Sequence, residues 1–194
     1  MGLSTRAAIA GDKVSATNAE MITETETATA NSTKRRPVVL FWKASGVKTV
    51  RGDIVLDRSV FDVRERSEPF DDEPLRPYNV APDGLLLNFK AVIYTFTPDP
   101  ANGQVQVRFE PPLAGFSAPT QLPLSQAPCS DWRRQLQADF SQPQQVRFAG
   151  RYPASCGERE WPVAYPEPEA YAPRVMQAMW LGVGGQLLGQ VRYG

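Results

Sequence analysis

LLLNFKAVIYTFTPDPANGQVQVRFE, residues 85–110, decides how this chain is read. Val105, Val107 and Phe109 alternate with Gln104, Gln106, Arg108 and Glu110, the period-2 pattern of a strand with one dry and one wet face. Upstream, Leu85, Leu87, Phe89, Ala91 and Ile93 share one side of a partner strand. Leu86, Val92, Tyr94 and Phe96 share the other, with Asn88 and Lys90 interrupting. Pro98, Pro100, Asn102 and Gly103 suit the loop between them, because proline removes a ladder donor and glycine opens left-handed backbone. A β-hairpin is therefore the expected centre of the fold.

Working outward, the flanks extend the β reading. Val38, Leu40 and Trp42 alternate with Val39, Phe41 and Lys43, predicting a strand, and Ser45-Gly46 offers a turn into KTVRGDIVLD. Residues 60–66 alternate as a third short strand. Residues 68–83 carry Pro69, Pro74, Pro77 and Pro82 and read as a long acidic loop. On the C-terminal side, Ser130 or Asp131 caps a helix over about 131–141, with Trp132, Leu136 and Phe140 at i, i+4 and i+8 and Pro143 as its stop. QVRFAG at 145–150 alternates again. Residues 153–173 mix five prolines with Trp161, Tyr165 and Tyr171 in a meandering connection. RVMQAMWLGV, Gly184-Gly185 and QLLGQVRY predict a closing hairpin, with a helix over Val175 to Leu181 as the rival that the glycines argue against extending. The fold class expected is mainly β: an antiparallel β-sandwich or barrel-like core with one short amphipathic helix, long proline-rich loops and an extended N-terminal arm.

That arm is residues 1–36. Its Thr, Ala, Glu and Asn composition buries too little apolar surface to offset ordering entropy, so it is expected to take shape on a neighbour. Met21 and Ile22 would be its apolar contacts and Lys34, Arg35 and Arg36 its charged ones. Residues 37–194 are expected to form a single β-rich domain.

Composition narrows the chemistry. With 42% hydrophobic and 22% charged residues the chain is of ordinary globular make-up. Twenty-one basic residues against 21 acidic ones give no excess cation for wrapping nucleic acid, leaving only a local contact through Lys34, Arg35 and Arg36. There is no histidine, which removes the usual triads, the commonest general base and the commonest zinc ligand. Cys129 and Cys156 lack a Cys-x-x-Cys spacing, and two isolated thiols are expected to stay unpaired. Asp71, Asp72 and Glu73 lack the spacing of a calcium loop. Arg51-Gly52-Asp53 sits in a strand pattern rather than at a loop tip, and Gly182, Gly184, Gly185 and Gly189 lack the Lys-Ser/Thr of a phosphate loop. No signal peptide or membrane-spanning run is visible, and no cofactor is expected.

The expected function is accordingly a non-enzymatic subunit of a multi-subunit assembly, a virus or phage particle protein. Its partners would be copies of itself and other particle proteins, and its place the virion or otherwise the cytoplasm. The first alternative is a β-sandwich module binding carbohydrate or protein on a platform of Trp161, Tyr165 and Tyr171; the second, placed behind both, is an enzyme working without histidine through Asp, Glu, Lys, Tyr or Cys side chains.

Overall fold

A computed structural model describes residues 7–9, 38–59 and 71–194. The protein is mainly β, with a curled sheet forming a half-barrel and few helices. Its centre is the hairpin expected from the sequence: β4 (Ala91–Asp99) pairs antiparallel with β5 (Gln104–Glu110), Tyr94 opposite Phe109 and Phe96 opposite Val107. Val92, Tyr94, Phe96, Val105 and Val107 are all buried, so one face of the hairpin supplies the core. β6 (Gln121–Ser125), β9 (Tyr152–Pro153) and β10 (Arg159–Ala164) complete a five-stranded sheet of order β10-β4-β5-β6-β9. Pro162 is tolerated because β10 is an edge strand.

A second hairpin, β7 (Ala138–Gln142) and β8 (Gln145–Phe148), lies against this sheet through aromatic contacts. Phe148 meets Tyr94 and Phe96 edge-on at centroid distances of 5.9 and 5.6 Å. Such pairs add to the burial of the rings themselves. A smaller second core gathers around α1 (Val38–Ala44), the short strands β2 (Thr49–Val50) and β3 (Ile54–Leu56), and α3 (Pro168–Gly182). β11 (Gln186–Leu187) runs parallel to β2, and β12 (Val191–Tyr193) parallel to β3. The helix α3 joins the two cores. Tyr171 and Val175 face the large one, while Ala172, Met176 and Trp180 face the small one.

Several expectations need correction. Val38–Ala44 is a helix, not a strand: Val39 and Trp42, three residues apart, are both buried, with Trp42 edge-on to Trp180. An apolar run this short carries no decisive period, and the packing chose. The helix expected over 131–141 survives only as α2 (Trp132–Gln135). Gln137 turns to φ +46°, and the carbonyls of Gln135, Leu136 and Gln137 accept from Arg151, Gly150 and Ala149 instead of continuing the helix. Gly150 is required there, since a Cβ would stand 1.8 Å from the Gln135 carbonyl oxygen. The expected closing hairpin and the proline meander before it are replaced by β10 and the long helix α3, entered at Pro168. Gly184, at φ +80°, ends α3 rather than turning a hairpin. The partner strand begins at Ala91, because Asn88, Phe89 and Lys90 all adopt positive φ.

The cysteines are also corrected: Cys129 and Cys156 form a disulfide with a Cα–Cα distance of 4.9 Å. It ties the segment leading into α2 to the turn after β9. Closing a loop of 27 residues restricts the unfolded chain, so reduction should cost about 2–4 kcal/mol. Urea unfolding with and without dithiothreitol reads this as a lower midpoint; an unchanged midpoint would contradict it.

Of the arm expected over 1–36, the structure describes only β1 (Ala7–Ile9), antiparallel to β3. Met21, Ile22, Lys34, Arg35 and Arg36 lie outside the described residues, as does the strand expected over 60–66.

Candidate functional site

A cleft of about 660 Å³ opens where three distant pieces of sequence meet. One wall is the loop Asp72–Arg76, the other is α2 with the start of β7, and Trp161 and Val163 of β10 form the floor.

Each wall is held by its own chemistry. The Asp71 carboxylate gathers the loop by accepting from the Glu73 amide at 3.0 Å, the Tyr78 hydroxyl at 2.9 Å and Asn79 Nδ2 at 2.6 Å. Desolvation pushes this carboxyl up, but the bonds from Tyr78, Asn79 and Glu73 and the Arg76 charge hold it below its ordinary value. Arg76 and Glu73 pair with each other. On the opposite wall, Asp131 caps α2 by accepting from the Arg134 amide, and Gln135 Nε2 donates to the Pro128 carbonyl at 3.2 Å. Trp132 is buried, which fixes the helix against the sheet core.

Trp161 is half-buried, edge-on to Trp132 at 5.8 Å and to Phe140 at 5.3 Å. The Arg133 guanidinium sits 4.9 Å from the Trp132 ring centroid and 5.8 Å from that of Trp161. Neither Arg133 nor Arg134 has an ion-pair partner among the described residues.

The three aromatic residues expected to act as a platform divide. Trp161 faces the cleft, but Tyr165 and Tyr171 are buried and serve the core. The Tyr165 hydroxyl donates to the Pro143 carbonyl, and that of Tyr171 to the Ala91 carbonyl at 2.7 Å. Burial raises the pKa of both phenols. An exposed three-ring platform is therefore not what the fold presents. Sequence reading left Arg133 and Arg134 out of the site, setting an anion contact aside in favour of the wet face of a longer helix. Their presence beside two tryptophans was a signal only once Trp161 was known to lie across from Trp132.

The described cleft lining carries carboxylates, guanidiniums, an amide and apolar groups, with no serine, threonine, cysteine, lysine or tyrosine. That set can bind and orient a ligand, and offers no hydroxyl, thiol or amine nucleophile. Among the described residues no group of three His, Cys, Asp or Glu side chains is placed to hold a metal ion.

Comparison with known proteins supplies the family. Residues 31–194 match the D-Ala-D-Ala carboxypeptidase 3 (S13) family. A search of the curated proteins gave no match. Among solved structures, penicillin binding protein 4 from Haemophilus influenzae is similar with a TM-score of 0.50 at 18% identity, over 80% of this chain and 35% of that one. The same protein complexed with a novel β-lactam gives a TM-score of 0.42 at 19% identity, over 80% and 31%. The chain thus spans about a third of the length of the solved protein it resembles.

The family match overturns the expectation of a non-enzymatic virus or phage subunit. It also removes the virion location and the partnership with particle proteins, which rested on armed β proteins being common in particles. Lack of histidine misled the reading, because it excludes histidine-based catalysis and not catalysis itself. With most of its length matched, the chain belongs to the D-Ala-D-Ala carboxypeptidase 3 (S13) family.

Proposed function

We propose that this chain forms the β body of a D-Ala-D-Ala carboxypeptidase, an enzyme that cleaves the last bond of a peptide ending in D-Ala-D-Ala and frees the terminal D-alanine. The observation that carries this reading is the family match over residues 31–194. Its substrate class is peptidoglycan and its place of work the bacterial envelope, where oxidising conditions suit the Cys129–Cys156 bridge. Residues 37–194 act as one body, with the β7–β8 hairpin and the curled sheet as the two layers of a sandwich, and residues 1–36 as an arm.

In penicillin-binding proteins acyl transfer uses a serine nucleophile in a Ser-x-x-Lys motif. The serine attacks the carbonyl, D-alanine leaves with a proton, and water then releases the shortened peptide. Here that spacing occurs once, at Ser45 and Lys48. Both are exposed in the turn between α1 and β2, neither lines the cleft, and no hydrogen bond joins them. A nucleophile needs a base in reach and donors around the developing oxyanion, and among the described residues none is bonded to Ser45. Ser45 is therefore not the nucleophile, and the described residues contribute binding and orientation.

The test is D-alanine release from diacetyl-L-lysyl-D-alanyl-D-alanine by the native protein carrying this chain. Release is expected, and Ser45→Ala should keep the rate within about twofold, as exposed substitutions usually do. No release would overturn the reading. Loss of about a thousandfold on Ser45→Ala would instead make Ser45 the nucleophile.

A further inference from the structure

We infer that Arg133 and Arg134, with Trp161 beneath Arg133, form a docking site for the free carboxylate of a short peptide. The inference rests on the carboxypeptidase reading for the identity of that peptide, and on the cleft's own geometry for the site.

Three of the six charged residues lining the cleft are already engaged. Glu73 pairs with Arg76, and Asp131 is spent on capping α2. Arg133 and Arg134 remain as two adjacent cations with no carboxylate of their own among the described residues. They stand on a helix fixed by its cap, by buried Trp132 and by the neighbouring disulfide, so little freedom is lost when a ligand arrives. Stacking on the tryptophan rings orients the Arg133 guanidinium while leaving donor edges open, and a guanidinium matches a carboxylate through paired hydrogen bonds. The indole of Trp161 offers apolar area for the ligand's methyl or methylene groups. At about 660 Å³ the cleft falls in the range of small-ligand sites, enough for a few residues and not for a folded domain.

Diacetyl-L-lysyl-D-alanine is the probe, since it keeps the terminal carboxylate without the bond to be cut. The native protein is titrated with this acid and with its C-terminal amide, following the Trp161 indole N–H by NMR. The acid should bind about tenfold or more tightly than the amide, the scale of a charge-assisted hydrogen bond. R133Q/R134Q should abolish that preference, and R133K/R134K should restore only part of it, since lysine keeps charge but loses the fork. Equal affinity for acid and amide, or a preference untouched by R133Q/R134Q, would overturn the site. If D-alanine release occurs but the preference ignores both arginines, the site falls and the carboxypeptidase reading stands. If the preference depends on them but no D-alanine is ever released, the site stands and that reading falls.

Discussion

Replacing Asp83 with alanine should destabilise the protein by about 3–5 kcal/mol, the scale for stripping the partner from a buried charge. Lys90 is 3% exposed, and its ammonium lies 2.5 Å from the Asp83 carboxylate, which is itself nearly fully buried. Asp83 also pairs with Arg58 at 3.4 Å and accepts from the Leu85 amide at 2.9 Å. Without it, Arg58 keeps Glu169 at 2.8 Å and the face of Tyr193, whereas Lys90 keeps no partner of opposite sign among the described residues. Lys90→Met should cost less, because Asp83 would still hold Arg58. The pair also sits beside an unfavourable backbone: Asn88, Phe89 and Lys90 have φ of 42°, 50° and 47°, left-handed values that Asn tolerates and that cost about 1–2 kcal/mol each at Phe89 and Lys90. Urea unfolding of both variants measures the difference, and a loss under about 1 kcal/mol for Asp83→Ala would contradict the account.

The same carboxylate sets a pH dependence. Burial pushes the Asp83 pKa up, but the bond from Lys90, the Leu85 amide and the charges of Lys90 and Arg58 outweigh it, so the folded value lies below the ordinary one. A depressed carboxyl contributes stability that is fully present above its unfolded pKa and lost as pH falls through the folded value. The gap between wild type and Asp83→Ala should therefore hold at neutral pH and close in strong acid.

Trp180→Ala should cost about 3–5 kcal/mol through the cavity it leaves. Trp180 is fully buried, edge-on to Trp42 at 5.9 Å, and its indole N–H donates to the Gln186 carbonyl at 3.0 Å. One side chain thus holds α3, α1 and the approach to β11 together. Gly185 exists for its sake, since a Cβ there would stand 2.1 Å from the indole. Gly185→Ala alone should be strongly destabilising, yet add little in a Trp180→Ala background. Denaturant unfolding of the two single variants and the double reads that non-additivity; simple additivity would mean that the two residues do not share the space.

These two sites show why parts of the chain were legible and others not. The β4–β5 hairpin could be read because one face meets a single core, so burial wrote a period of two into the sequence. In α3, Tyr171 and Val175 serve one core while Ala172, Met176 and Trp180 serve the other. With two faces buried no single stripe appears, and the glycines that end the helix looked like a hairpin turn. The segment after Gln135 carries a helical pattern that is overridden by backbone bonds from residues 149–151, a partner no local window contains. Pairing of Cys129 with Cys156 likewise depends on β9 returning beside α2. The cleft was the least readable part, because its walls come from residues 72–76, 131–140 and 161–163 and become one site only after the sheet has formed.

The central claim, that this β body serves a D-Ala-D-Ala carboxypeptidase, is tested most directly by stereochemistry. The native protein is given paired substrates, diacetyl-L-lysine extended by D-Ala-D-Ala or by L-Ala-L-Ala, and the released alanine is measured by chiral chromatography. Release of D-alanine from the first with none from the second is the result predicted; equal release from both, or none from either, would contradict it.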